Sequence, residues 1–312
     1  MTTVLMTGAA GYVATYLLPA FRERFELRLV DNRDRDGLGR PVDGLQVRDI
    51  SDISRMDEVR DLFRGVDAVV HLAHLRPASN SLHDRYLAER GDIDMAYLVY
   101  QLALDEGVKR VVVASSNHAT DFYERPLRAG QLDTVYPEGS AQRPLADNFY
   151  GWAKEAYEHL GFVYASGVAG GPTVGEIRAE DRPRKLEVVQ IRICAPRDLS
   201  VTSFADWRKN DPLTLHRDLG QWVSPRDLAQ LFVKSIETPS IEDEYGVPFQ
   251  VFYGVSANTR SAWSIANARR VIGYAPQDDS EVVYADEIRE MMLEPAREKM
   301  VQGDARGGKG SR

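Results

Sequence analysis

The chain of 312 residues contains a single cysteine, Cys194, so no disulfide can form within it and a reducing, cytoplasmic setting is expected. It also lacks a long apolar run. Gly8 and Gly11 interrupt the apolar start and no basic segment precedes it, so neither a signal peptide nor a membrane helix is expected. Basic residues are not in excess: 39 lysines and arginines against 47 aspartates and glutamates leave a net charge of −8. That balance excludes a general attraction to nucleic acid or to an anionic membrane surface. An anionic ligand would have to be met by arginines or lysines placed locally. No internal repeat runs through the sequence.

What is present is an alternation of short apolar runs and helical spacing. Val4-Leu5-Met6, Leu27-Arg28-Leu29-Val30, Ala68-Val69-Val70 and Val111-Val112-Val113-Ala114 suit buried parallel strands. Between them, 12–25, 54–63 and 92–106 carry helical periodicity, with Pro19 expected to kink the first. Further on the pattern predicts a helix over 150–164, a strand at 188–193, a helix over 225–237 with Pro225 in its first turn, and a strand at 249–253. The stretch 196–222 reads as irregular. The fold class is therefore α/β, a Rossmann-type doubly wound parallel sheet with a small C-terminal substrate-binding lobe. Residues 1–195 would form the dinucleotide-binding domain, with a mobile Gly- and Pro-rich insertion at 166–185. Residues 196–302 would form mainly the lobe, interleaved with the last sheet elements, and 303–312 a disordered tail.

Thr7-Gly8-Ala9-Ala10-Gly11-Tyr12-Val13-Ala14 follows the first strand and opens the first helix. A dinucleotide needs small residues there, because the chain turns tightly, the pyrophosphate approaches the backbone, and helix N–H groups must reach it. Asp31 and Asn32 end the second strand about twenty residues on, where a carboxylate accepts both ribose hydroxyls and repels a 2′-phosphate. NAD is thereby favoured over NADP, with Arg33 and Arg35 pulling the other way. Asp49 and Ile50 fall where a third strand would end, beside the adenine. Leu72 and Ala73 follow the fourth strand, where backbone passes the nicotinamide ribose. His71 and His74 form an H-x-x-H pair without a third ligand motif, so no metal is expected.

Tyr150-Gly151-Trp152-Ala153-Lys154 sets a phenol and an ammonium four residues apart, on one helical face. Oxidation of an alcohol needs a base for the hydroxyl proton, and a phenol serves at neutral pH only beside a cation such as Lys154. Ser116, at the end of Val113-Ala114-Ser115-Ser116-Asn117-His118, is placed to hydrogen-bond the reacting oxygen. Trp222 reads as core.

In this order, these features resemble the extended short-chain dehydrogenase/reductase superfamily over about residues 1–195. The Ser-Ser-Asn-His string, the Tyr150 motif, Arg217-x4-Trp222-Val223-Ser224 and Tyr253-Gly254-Val255-Ser256-Ala257-Asn258 extend the resemblance over nearly the whole chain. There they are similar to uronate dehydrogenases and their relatives among NAD-dependent sugar and sugar-phosphate dehydrogenases. The resemblance implies oxidation of the anomeric carbon of a free hexose derivative to a lactone. It implies Tyr150 as base and Lys154 as its electrostatic partner, with Ser116, Asn117 and His118 on sugar hydroxyls. Arg217 would clamp an anion at the far end of the sugar, as a guanidinium does through paired hydrogen bonds. It also implies a homodimer or higher homo-oligomer, with helices 92–106 and 150–164 pairing through Ile93, Ala96, Tyr97, Tyr100, Ala103, Ala156, Tyr157 and Leu160.

The chain departs from the family pattern in four places. Arg76, within His74-Leu75-Arg76-Pro77, stands near a usual serine and adds a second cation. Ile193-Cys194-Ala195-Pro196-Arg197 replaces a small polar residue after Arg192. Asp92-Ile93-Asp94-Met95 stands for Asn-Ile/Val-x-Gly, and the 166–185 insertion has no counterpart. Arg76 and Arg197 make a sugar phosphate or sulfonated sugar as suitable as a uronate. Two rival readings are a nucleotide-sugar epimerase or dehydratase that retains its NAD, and a non-catalytic NAD-sensing protein. The first lacks the carboxylate that dehydratases need beside the serine; the second tends to lose the tyrosine or lysine kept here.

Overall fold

The computed structural model describes residues 1–136, 144–167, 184–205 and 212–293. Seven strands form one parallel sheet in the order β3-β2-β1-β4-β5-β6-β7: β1 Thr3–Thr7, β2 Glu26–Asp31, β3 Leu45–Val47, β4 Ala68–His71, β5 Arg110–Ser116, β6 Glu187–Ile193 and β7 Phe249–Gly254. The strands read as continuous apolar runs because both faces are covered. Val4, Met6, Val70, Val112 and Val189 point to one face, and Leu5, Val69, Val111, Val113 and Val188 to the other. Helices α1 (Tyr12–Arg24), α7 (Pro225–Glu237) and α8 (Ala266–Ile272) cover the first face. Helices α2 (Met56–Val59), α3 (Leu82–Asp105) and α5 (Phe149–Ser166) cover the second.

The remaining helices are α4 (Glu124–Arg128), α6 (Pro212–Gln221) and α9 (Ser280–Val283). Leu199, Phe204, Leu215, Leu219, Trp222 and Tyr284 make a separate small core, and this is where Trp222 packs, as expected. β6 and β7 complete the sheet from the C-terminal half, so the lobe is interleaved with it.

Four local expectations differ from the structure. β3 stops at Val47, two residues before Asp49, whose side chain instead accepts the Ser51 N–H at 2.9 Å. The helix over 54–63 is α2 flanked by two 3-10 turns, Ile53–Arg55 and Arg60–Leu62. α1 runs through the exposed Pro19 unbroken. α6 occupies the end of the stretch read as irregular. Of the expected insertion at 166–185, residues 168–183 lie outside the described residues, as does the expected tail at 303–312. Among the described residues no helix is long and apolar enough to cross a membrane.

Candidate active site

A cleft of about 930 Å³ opens along the C-terminal ends of β1, β2, β4, β5 and β6. Gly8 leaves β1 at φ +72°, and a Cβ there would lie 2.5 Å from the Ala73 nitrogen, so only glycine lets the two backbones pass. Gly11 opens α1 with no side-chain cap, which leaves the N–H groups of the first turn unclaimed by any side chain. Asp31 ends β2 and is buried. One carboxylate oxygen accepts the Ala10 N–H at 3.0 Å; the other accepts the backbone N–H of Arg33 at 3.0 Å and its Nε at 3.3 Å. The acid therefore braces the glycine turn while lining the cleft. Ala10 does not line it, because its N–H is spent on Asp31. Gly8, Gly11, Tyr12, Val13, Asn32, Asp49, Ile50, Leu72 and Ala73 all do. Arg33 lines the cleft, whereas Arg35 turns away to the Gly39 carbonyl at 2.9 Å. The positive-φ glycine, the uncapped helix start and the carboxylate at the end of β2 fit a dinucleotide.

At the catalytic end, Asn148 caps α5 by accepting the Gly151 N–H at 2.9 Å. A Cβ on Gly151 would fall 2.1 Å from the His118 carbonyl, so the glycine lets α5 press onto the 3-10 segment Asn117–Tyr123. That contact sets the His118 ring edge-on to Tyr150, with centroids 5.4 Å apart. Lys154 is buried, donates to the Ala114 carbonyl at 3.1 Å, and stands 5.1 Å from the centre of the Tyr150 ring. Tyr157 donates to the same carbonyl at 2.8 Å, and burial pushes its phenol well above the usual range. It stays protonated, and of these two tyrosines it is Tyr150 that lines the cleft. Ser116 Oγ accepts the His118 N–H at 3.2 Å. Asn117 donates to Gln221 Oε1 at 3.3 Å, and His118 Nδ1 lies 2.7 Å from Asp121 Oδ2.

Beneath this row the buried Arg192 forks onto Glu158 at 2.9 and 2.7 Å, and Ser115 donates to the same carboxylate at 2.5 Å. The pair fixes the relation of β5, β6 and α5. Cys194 lines the cleft, but burial pushes its thiol up, which makes it a poor nucleophile.

Arg76, Arg197 and Arg217 all border the cleft. Arg217 is held by Glu124 through two hydrogen bonds, 2.6 Å from Nε and 2.5 Å from Nη2. Arg197 donates to Asp218 at 2.7 Å. Arg76 is exposed and has no charged partner among the described residues.

The H-x-x-H pair does not converge. His71 is buried with Nδ1 2.7 Å from Thr7 Oγ1, and burial lowers its pKa to about 4, so it is neutral. His74 turns instead to α3, with Nδ1 2.6 Å from Asp92 Oδ2. His74, Glu89 and Asp92 offer ligand atoms within 4.8 Å of one another, the nearest approach to a metal set among the described residues. Burial raises the Glu89 carboxyl, and the Lys154 ammonium opposes that shift.

The sequence pattern of the NAD dependent epimerase/dehydratase family matches residues 4–166. The chain belongs to that family. Its cofactor is NAD. Along nearly its full length this family member is similar to the NAD-dependent glucose-6-phosphate dehydrogenase of Haloferax volcanii, at 31% identity over 89% of this chain and 94% of the other. It is 30% identical to the uronate dehydrogenase of Pseudomonas syringae pv. tomato, over 90% and 84% of the two chains. The solved structure of a glucuronic acid dehydrogenase from Chromohalobacter salexigens matches 93% of this chain and 89% of that one, at 26% identity and a TM-score of 0.64.

The structure thus gathers Tyr150, Lys154, Ser116, Asn117, His118, Arg76 and Arg217 in the same cleft as the glycine turn and Asp31. Sequence reasoning missed Glu124, Asp218 and Gln221. It noted Asp92 only as a departure, and His74 only as half of a pair. His118-x-x-Asp121 was legible as an i, i+3 pairing on a short helix. Glu124 carried no local signal, since its partner lies in α6.

Proposed function

We propose that the protein oxidises the anomeric carbon of an acidic hexose derivative, a uronate, sugar phosphate or sulfonated sugar, to the lactone, with Tyr150 as base. It is an NAD-dependent sugar dehydrogenase, and we place it in the cytoplasm. One observation carries the reading: Tyr150, Lys154 and Ser116 share a single cleft with three arginines and with the glycine turn and Asp31. Gly8, Gly11, Asp31, Leu72 and Ala73 would hold the NAD, which when bound accepts the hydride from C1.

The chain's own groups do the rest. Ser116 and Tyr150 hold the anomeric oxygen, and Tyr150 takes its proton. Lys154 stabilises the negative charge that proton transfer builds on the phenol oxygen. Asn117 and His118, each braced by its partner, meet ring hydroxyls. The anion goes to Arg76 and Arg217. Arg76 offers a guanidinium with no charged partner among the described residues. Arg217 keeps Nη1 3.7 Å from Asp218 and must share its charge with Glu124. Asn117 and His118 stand where a dehydratase needs an acid, which counts against the epimerase or dehydratase reading.

The test is NADH formation with glucuronate, galacturonate, glucose 6-phosphate, sulfoquinovose and neutral hexoses. An anionic sugar is expected to turn over, and Tyr150→Phe to abolish turnover. Arg76→Gln and Arg217→Ala should each raise KM for that sugar by about 10-fold or more, the scale of a lost charge-assisted hydrogen bond. No NADH from any sugar, with NAD released only on denaturation, would establish the retained-cofactor alternative instead.

A further inference from the structure

We propose that His74, held by Asp92 and backed by Glu89, is the acceptor that takes the substrate proton on from Tyr150 and passes it to solvent. The inference rests on the reading of Tyr150 as base.

The local geometry is that of a built proton acceptor. Asp92 is buried on α3: Oδ1 accepts the Leu75 N–H at 2.8 Å, while Oδ2 makes no aligned hydrogen bond but lies 2.6 Å from His74 Nδ1, within ion-pair reach of the ring. A carboxylate that close favours a proton on Nδ1, which makes Nε2 the nitrogen open to take another. A Cβ on Gly91 would sit 2.6 Å from Leu75 Cδ1, so the loop after β4 is packed directly against α3.

The imidazole meets Tyr150 edge-on, with ring centroids 5.4 Å apart and planes at 82°. Its side chain is 36% exposed and lines the cleft, so one side faces the base and another faces water. Glu89 completes the set. It is 7% exposed, and its Oε2 is buried without a hydrogen-bond partner. A buried oxygen left open costs stability unless something occupies it part of the time. An imidazolium formed at His74 supplies that charge. Arg76, on the same loop, also carries charge near the imidazole. The groups facing it from packed elements are Asp92 and Glu89 on α3, and Tyr150 and Lys154 on α5. The His118–Asp121 pair stands on the far side of Tyr150. The neutral His71 is engaged with Thr7 and does not compete.

The step balances. The C1–H bond breaks and its electron pair leaves as hydride for the oxidised cofactor. The anomeric O–H proton moves to the Tyr150 oxygen as C1=O forms. The proton on Tyr150 then passes to His74 Nε2, giving an imidazolium against Asp92, and finally to water.

The test compares the wild-type enzyme with His74→Gln, His74→Ala and Asp92→Asn, using whichever sugar is turned over. Oxidation is expected to slow by about 100-fold or more near neutral pH in all three, the usual scale of a positioned proton acceptor. The deficit should shrink as pH rises, and added imidazole should restore His74→Ala in proportion to its concentration. Proton release read with an indicator dye should lag NADH formation in the variants and keep pace with it in the wild type. A uniform loss across pH without imidazole rescue would make the pair structural and overturn the proposal, as would unchanged rates. Activity lost on chelation in the wild type would make the cluster a metal site and overturn it too. Tyr150→Phe is run alongside: if that variant keeps its activity, the reading of the base fails and not this step.

Discussion

His71 closes β4, 3% exposed, with its Nδ1 against the Thr7 hydroxyl. Burial lowers its pKa from 6.5 to about 4, so the folded protein binds that proton more weakly than the unfolded chain does. The stability this represents is complete above pH 6.5 and drains away as pH falls from there through about 4. Fully expressed it is worth about 3 kcal/mol. Urea midpoints of the wild type and of His71→Asn, measured from pH 7 to pH 4, should therefore converge as pH falls. A difference that stays constant across that range would show that His71 does not carry the effect. Three residues on, His74 has the opposite surroundings, with a carboxylate on one nitrogen and water within reach. The sequence shows two histidines at ligand spacing. It cannot show that the end of β4 sends one to each side, because that depends on where α3 packs.

At the scale of elements, β5, β6 and α5 are held together by Arg192 and Glu158, both nearly inaccessible to water. Glu158→Gln leaves a guanidinium buried without its counter-charge. We expect a loss of about 3–5 kcal/mol, the range for breaking a buried pair on one side. Chemical denaturation of that variant checks it, and a loss below 1 kcal/mol, the range typical of exposed pairs, would mean that water reaches the pair. The strands were legible because both faces of a parallel sheet are covered and each strand is short and apolar. Two helices were not fully legible. Four of the first ten residues of α3 are charged and the tenth is Gly91, which weakens any apolar stripe there. α6 lies between prolines and polar residues and earns its place by packing Leu215 and Leu219 on Trp222. Candidate site residues were legible where they sit a few positions apart, as with Tyr150 and Lys154, which line the same cleft. The pairing of Arg217 with Glu124 was not, since nothing in sequence separation marks it.

Across the whole molecule, α3 and α5 leave one aromatic face uncovered. Tyr86, Tyr97 and Phe149 are 38%, 39% and 39% exposed, and Tyr86 stacks on Trp152 at 5.8 Å. Of the residues expected at a two-fold, Ala96, Tyr100, Ala103 and Tyr157 instead fill the core against the sheet. We expect a homodimer through the outer aromatics. Light scattering on a sizing column should give twice the chain mass for the wild type and the chain mass for Tyr97→Glu; a monomeric wild type would refute it. The strand order has a consequence for how the enzyme is made. β5 lies between β4 and β6, and β6 is synthesised only after α5 and the segment that follows it. On the ribosome, β1 to β5 can assemble the nucleotide cradle while Glu158 still lacks Arg192. The nascent chain is thus shaped to hold its coenzyme some seconds before its catalytic row is braced.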